Sequence, residues 1–225
     1  HKPEVRVQIH FFLYTARINC AILYHIENAI LRGLDMPFLI TDSAAPIAPE
    51  ALPALKLTEF CGRPARGCIY SYLKCYLHHG DFFYHITVFD ETPPSTQCAA
   101  VALSGDVSAS AWLSLRVGFH SPACLEIHMP ASDGSAEVVK SLPCEDASRF
   151  SGGDEQGLYW GAQGIIPASV FQQVFGDVLH AGSVLMGNVF LYDTRERAFG
   201  AAFSVPADTA VPTNEGMQPL VIVPY

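Results

Sequence analysis

From Ile69 onward the chain is a succession of short segments in which apolar and polar residues alternate, and turn residues break them every ~8–12 positions. Successive side chains of a strand point to opposite faces, so this pattern buries one face of each segment and demands a partner layer. Ile69–Leu77 and Phe82–Phe89 are aromatic and β-branched runs joined by His78-His79-Gly80-Asp81, which reads as a hairpin turn. In Ala111–Phe119, Leu113, Leu115, Val117 and Phe119 share one face, with Trp112, Ser114 and Arg116 on the other. In Cys124–Met129, Leu125, Ile127 and Met129 alternate with Glu126 and His128. Asp133-Gly134 turns the chain into Ala136–Lys140, and Ser151–Gly157 reads as a glycine-rich acidic loop leading to Leu158–Ile166. One or two helical turns are expected at Ala168–Phe175. The closing strands are expected at Val184–Tyr192, Ala198–Val205 and Leu220–Val223. The pattern predicts an all-β, antiparallel sandwich.

The first 68 residues read differently. Val5, Val7, Ile9, Phe11 and Leu13 alternate as in a strand. Ile18, Ile22, Ile26 and Ile30 then recur at helical spacing, with Gly33 where a C-cap glycine belongs, predicting one amphipathic helix over 16–32. Pro37, Pro46, Pro49, Pro53 and Pro64 remove backbone donors and hold 35–64 extended, as coil wrapping a surface. No repeat and no linker divides the chain. One domain over 1–225 is expected, with strand, helix and coil in 1–68 and the sandwich in 69–225.

Of the 225 residues half are hydrophobic and 16% charged, which excludes disorder, since a disordered chain lacks the apolar surface to offset its ordering entropy. No apolar run approaches the roughly 18–20 residues of a spanning helix, so no membrane partner is expected. Thirteen Lys+Arg against 22 Asp+Glu give a net charge of −9 with no basic cluster, which argues against nucleic acid, whose affinity comes from many cations on phosphates. A neutral ligand suits this balance. The seven cysteines are odd in number and contain no Cys-x-x-Cys. They read as reduced core thiols, which favours a cytoplasmic setting, with an extracellular one left open by a signal removed before residue 1.

Hydrolase elbows, zinc-protease helices, P-loops and dinucleotide fingerprints are absent from the sequence. Asp193-Thr194 resembles the start of an aspartic-protease loop, but Arg195 follows and no second such loop exists to share a proton. Among possible metal ligands, His78, His79, Asp81 and His85 sit at or beside a hairpin tip, where adjacent side chains seldom converge. Asp154 and Glu155 offer too few oxygens by themselves for calcium. No cofactor is expected, calcium at that loop being the one exception kept open.

Four landmarks, in order, resemble the family-nine carbohydrate-binding modules, the xylanase-associated type, in their lone-domain form. Asp81–Pro93 is similar to the family's early aromatic strand with its acidic end. Ala123–Gly134 is similar to its tyrosine-x-asparagine-phenylalanine-glutamate strand and small-residue turn. Tyr159–Pro167 is similar to its tryptophan strand ending in isoleucine-proline, and Gly187–Phe190 with Ala202–Pro206 to its last two strands. The likeness covers roughly 69–225 and implies a jelly-roll-like sandwich that binds an oligosaccharide or polysaccharide without catalysis. It departs at Ser110–Arg116, where both acidic positions of the family's strand are lost, and at Met129, which replaces an asparagine.

Sugar rings stack their C–H faces on flat aromatic groups, while amides, carboxylates and guanidinium groups sort the hydroxyls. The expected ligand-binding residues are therefore Trp112 and Trp160 as two walls of one slot, with Tyr159 and Tyr192 as further rings. Arg116, Glu126 and Asn188 are the expected polar contacts. Most have a plainer alternative: a buried second layer under a loop for Trp112, a core anchor for Trp160, a backbone-satisfying amide for Asn188, a solvated strand face for Glu126, and pairing with a surface carboxylate for Arg116. The lost acidic positions and the isoleucine stripe at 16–32 motivate a second reading, a scaffold sandwich without a sugar site that associates as a homodimer. A hydrolase whose carboxylates meet only in the fold is the third.

Overall fold

The computed structural model describes residues 37–62, 68–130, 136–144, 146–195 and 198–225. The strand expected at 5–13 and the helix expected at 16–32 lie outside the described residues. Fourteen strands are described: β1 (Phe38–Asp42), β2 (Leu55–Lys56), β3 (Glu59–Cys61), β4 (Ser71–His78), β5 (Asp81–Val88), β6 (Gln97–Ser104), β7 (Trp112–Gly118), β8 (Cys124–Pro130), β9 (Ala136–Pro143), β10 (Ser148–Asp154), β11 (Gly157–Ile166), β12 (Val184–Asp193), β13 (Phe199–Ala201) and β14 (Gln218–Pro224). One helix, α1 (Ala168–Phe175), and a single 3₁₀ turn at Pro49–Ala51 complete them. No described helix is long and apolar enough to cross a membrane.

Eleven of the strands run through one hydrogen-bonded sheet in the order β10-β11-β5-β4-β1-β14-β12-β6-β7-β8-β9, with β2 added on β4, β13 on β12 and β3 on β13. Leu73, Leu77, Ile86, Val88 and Trp160 from its first half join Val101, Leu103, Leu113, Leu115 and Val189 from its second in one core. The sheet therefore curls on itself as a sandwich. It is mixed and not purely antiparallel, because β1 runs parallel to both β14 and β4. Nothing in the proline-rich stretch announces β1. Its Ile40 is fully buried, and its ladder is closed from both sides by strands far away in sequence.

The β4–β5 hairpin follows the expected two-residue turn. His79 and Gly80 both have positive φ, 54° and 83°, the backbone that matches the right-handed twist of paired strands. Beside it, the Asp81 carboxylate accepts the backbone N–H of Ala168 at 2.7 Å and so caps the start of α1. At the other end Gly176 takes the left-handed conformation (φ 80°) and closes the helix. The stretch expected as a glycine-rich loop is different. Ser148–Asp154 is strand β10, paired with β11 from Ser148↔Gln163 to Asp154↔Gly157. Gly152 and Gly153 belong there because side chains of β11 lie over them: a Cβ on Gly152 would meet the Tyr159 hydroxyl at 2.6 Å, and one on Gly153 would meet Leu158 at 3.0 Å.

A second core covers the outer face of β6, β7 and β12. Cys98, Ala100 and Ala102 form a floor of small side chains between Trp112 and Phe190, roofed by Phe199, Ala201, Val205 and Met217. This roof is the reason the polar-looking face of β7 is not solvated. Every residue of β7 except Arg116 is buried.

Candidate functional site

The ladder places the candidate residues of β7, β8, β6 and β12 on one face. Trp112 is level with His128, Ser114 with Glu126, and Arg116 with Ala100, which in turn faces Phe190. Arg116 Nη1 donates to Glu126 Oε1 at 2.8 Å, and His128 Nε2 stands 3.7 Å from Glu126 Oε2. The Trp112 and His128 rings lie nearly parallel (9°), their centroids 3.6 Å apart. Burial drives the His128 pKa down, with Glu126 opposing and Arg116 adding to the effect, so the imidazole is neutral at pH 7. Burial also works against the Arg116 charge, and near neutral pH the Glu126 carboxylate is the partner that favours it. Desolvation keeps the Tyr192 phenol protonated far above neutrality.

Four polar atoms on this face are buried without a hydrogen-bond partner among the described residues: Trp112 Nε1, Ser114 Oγ, Arg116 Nε and His128 Nε2. Such atoms cost about 1–3 kcal/mol each when left bare, and in native proteins they are matched by water or a ligand. At the Arg116 end of this row opens a cleft of about 640 Å³. Arg116, Tyr192 and Phe199 line it from the sheet, and Asp193, Thr194, Asp208 and Thr209 supply polar groups. The volume falls within the range of small-molecule sites. Charge of both signs, hydroxyls and aromatic edges together suit a neutral, hydroxyl-rich ligand.

Three expected residues thus come together here, Arg116 and Tyr192 lining the cleft and Glu126 bonded to Arg116. The others lie elsewhere. Trp112 and Trp160 do not wall one slot: Trp112 is 2% exposed in the outer core, and Trp160 is 3% exposed in the inner one. His128 already covers a face of the first indole. The second packs edge-on against Phe119 at 5.5 Å and donates Nε1 to Gln97 Oε1 at 2.8 Å, as a satisfied core anchor does. Tyr159 lies on the outer face of the opposite half of the sheet, between Phe89 and Phe150. Asn188 is wholly buried, and its amide is fully used: Nδ2 donates to the carbonyls of Phe203 and Gly216, and Oδ1 accepts from the N–H groups of Val189 and Phe203. Two donors and two acceptor positions exhaust an amide. None is left for a ligand.

His128, Phe199, Asp208 and Thr209 are site residues the sequence reading missed. His128 is the one with a readable signal, since it alternates with Glu126. Asp193 and Thr194, discarded as a protease loop, reappear on the rim of the cleft. Among the described residues no group of three or more His, Cys, Asp and Glu is arranged to hold a metal ion. His78 is tied by Nδ1 to the Ser43 carbonyl, Asp81 caps α1, and Asp154 accepts the N–H of Gln156 in its turn. All six described cysteines are free thiols.

No family sequence model matches the chain, and no curated protein matches it in sequence. Solved structures do match in three dimensions. A family 9 carbohydrate-binding module from Caldicellulosiruptor kristjanssonii, in complex with cellotriose, superposes with a TM-score of 0.54 at 8% identity, over 84% of this chain and 94% of that one. The same module in complex with glucose gives 0.53 at 8% identity, over 84% and 96%. A Bacteroides uniformis protein provisionally assigned to carbohydrate binding gives 0.57 at 12% identity, over 83% and 98%. This is the fold of the family 9 carbohydrate-binding modules. Identities this low establish the architecture alone, so the ligand has to be argued from this chain's own side chains.

Proposed function

We propose that the protein is a non-catalytic carbohydrate-recognition domain that takes a neutral saccharide into the Arg116–Tyr192 cleft. One observation carries the reading: the 640 Å³ cleft is lined by Tyr192 and by Arg116, which Glu126 holds in place and whose buried Nε has no hydrogen-bond partner among the described residues. A guanidinium fork presents parallel donors to adjacent hydroxyls, and its pairing with Glu126 fixes its orientation before a ligand arrives. The edges of Tyr192 and Phe199 offer apolar contact to sugar C–H groups. The module neighbours solved with glucose and cellotriose share the architecture, which favours a saccharide over other neutral ligands.

Isothermal titration with glucose, cellotriose and xylotriose tests this. Loss of a charge-assisted hydrogen bond is worth about 1.5–3 kcal/mol, so Arg116→Met should weaken binding roughly 10- to 100-fold. Tyr192→Phe should weaken it less. No binding by the unaltered protein to any of the three sugars at millimolar concentration would remove the proposal.

A further inference from the structure

The opposite outer face, that of β4, β5, β10 and β11, carries a second cavity that the reading above does not use. It encloses about 310 Å³ between the sheet and the segments around Pro49 and Asp146. The ladder aligns Lys74 with His85 and Gln163, and Tyr76 with Phe83 and Ile165, so these side chains share its floor. Tyr76 and Phe83 stack on each other at 4.7 Å and 20°, so their ring edges line the cavity. His85 stacks on Phe150 at 4.5 Å and 18°, and its Nδ1 lies 3.2 Å from Gln163 Oε1. With Gln163 Oε1 accepting, His85 carries its proton on Nδ1. Its Nε2 is then an acceptor, and the Gln163 amide keeps two donors. An acceptor and a donor side by side next to aromatic edges match the hydroxyls and C–H groups of a pyranose ring.

Lys74 and Asp146 bring opposite charges to the wall, with no ion pair between them among the described residues, which balances the field and disfavours an anion. Beyond the cavity the same face continues in rings. Phe150 lies 6.3 Å from Tyr159, Tyr159 is 5.4 Å from Phe89, and Phe89 is 5.4 Å from Tyr70. From Phe83 to Phe89 this path runs six residues along the chain, about 20 Å at ~3.3 Å per residue, the reach of a short oligosaccharide.

We propose that this cavity is a second saccharide site, taking one hexose unit between the Phe83–Tyr76 rings and the His85–Gln163 pair, with Phe150, Tyr159 and Phe89 carrying the units that follow. The site stands independently of the Arg116 cleft. Because the two lie on opposite outer faces of the sandwich, a protein using both bridges two glycan chains.

Cellotriose and xylotriose, titrated against labelled protein and followed by the His85 imidazole and Gln163 amide resonances, test the proposal. Those signals should move with at least one of the two sugars. They should move equally in an Arg116→Met background, and in Gln163→Ala, a substitution at an exposed position, the His85 signal should need about tenfold more sugar to move. Movement there with the Arg116 signals silent would support this site and refute the cleft. Silent His85 and Gln163 signals would overturn the proposal, whether or not the cleft responds. Changes in the Phe150 and Tyr159 signals that follow protein concentration instead of sugar would overturn it in favour of self-association.

Discussion

Replacing Asn188 with alanine separates a structural amide from a sugar-binding one. The side chain sits in β12 with no exposed surface and ties that strand to Phe203 and Gly216, in the segment that roofs the outer core. Alanine leaves the Phe203 N–H and carbonyl in a buried site with nothing to meet, at about 1–3 kcal/mol each, and the Gly216 carbonyl loses its bond as well. The sum is roughly 3–5 kcal/mol. For a chain of 150–250 residues each kcal/mol moves the midpoint by about 2–4 °C, so Tm should fall by about 6–20 °C. Urea unfolding is readily followed by fluorescence, since both tryptophans are buried and emission must shift red on exposure. Asn188→Asp should be no milder at pH 7, because a carboxylate would face the Phe203 and Gly216 carbonyls. A variant less than about 1 kcal/mol weaker, but with saccharide binding lost, would refute the reasoning and return Asn188 to the ligand.

Other outcomes follow from the same geometry. Burial lowers the pKa of His128 and of His85 below the ordinary 6.5, so between that value and their folded values the unfolded chain binds more protons. Their contribution to stability should be complete above pH 6.5 and fall as the pH drops below it, and His128→Gln should flatten the slope of urea midpoints measured from pH 7.5 to 5. Gly161→Ala would drive a Cβ into the Ile86 carbonyl oxygen and the Phe150 ring, both held by the sheet, and thermal melts should show a loss of about 1–3 kcal/mol. Trp160→Phe strands the buried Gln97 oxygen and should cost about 1–3 kcal/mol in denaturant titrations while leaving calorimetric saccharide affinity at the Arg116 cleft unchanged.

Alternation, turn chemistry and capping signals are local, and they were legible in the amino-acid order. The β4–β5 hairpin, the strands β5, β7, β8, β11 and β12, and the short helix after Pro167 follow from residues within a few positions of one another. Alternation also separates Arg116 and Glu126 from the leucines of their own strands, but that the two meet is set by the β7–β8 register, which only the ladder supplies. Which face of β7 meets solvent was not legible. Trp112, Ser114 and Arg116 alternate with leucines as a solvated face would, and only the return of residues 198–217 over that side buries them. The two indoles belong to different cores because the sheet curls between their strands, and curl is a property of the whole ladder. Strand β1 escaped notice for a similar reason, its hydrogen bonds being supplied by β4 and β14. The sequence determined the strands and their alternation by nearest-neighbour sterics and apolar periodicity. Tertiary structure alone decided which polar groups are sealed, which remain unpartnered and where clefts open, because each depends on segments distant in sequence meeting in space.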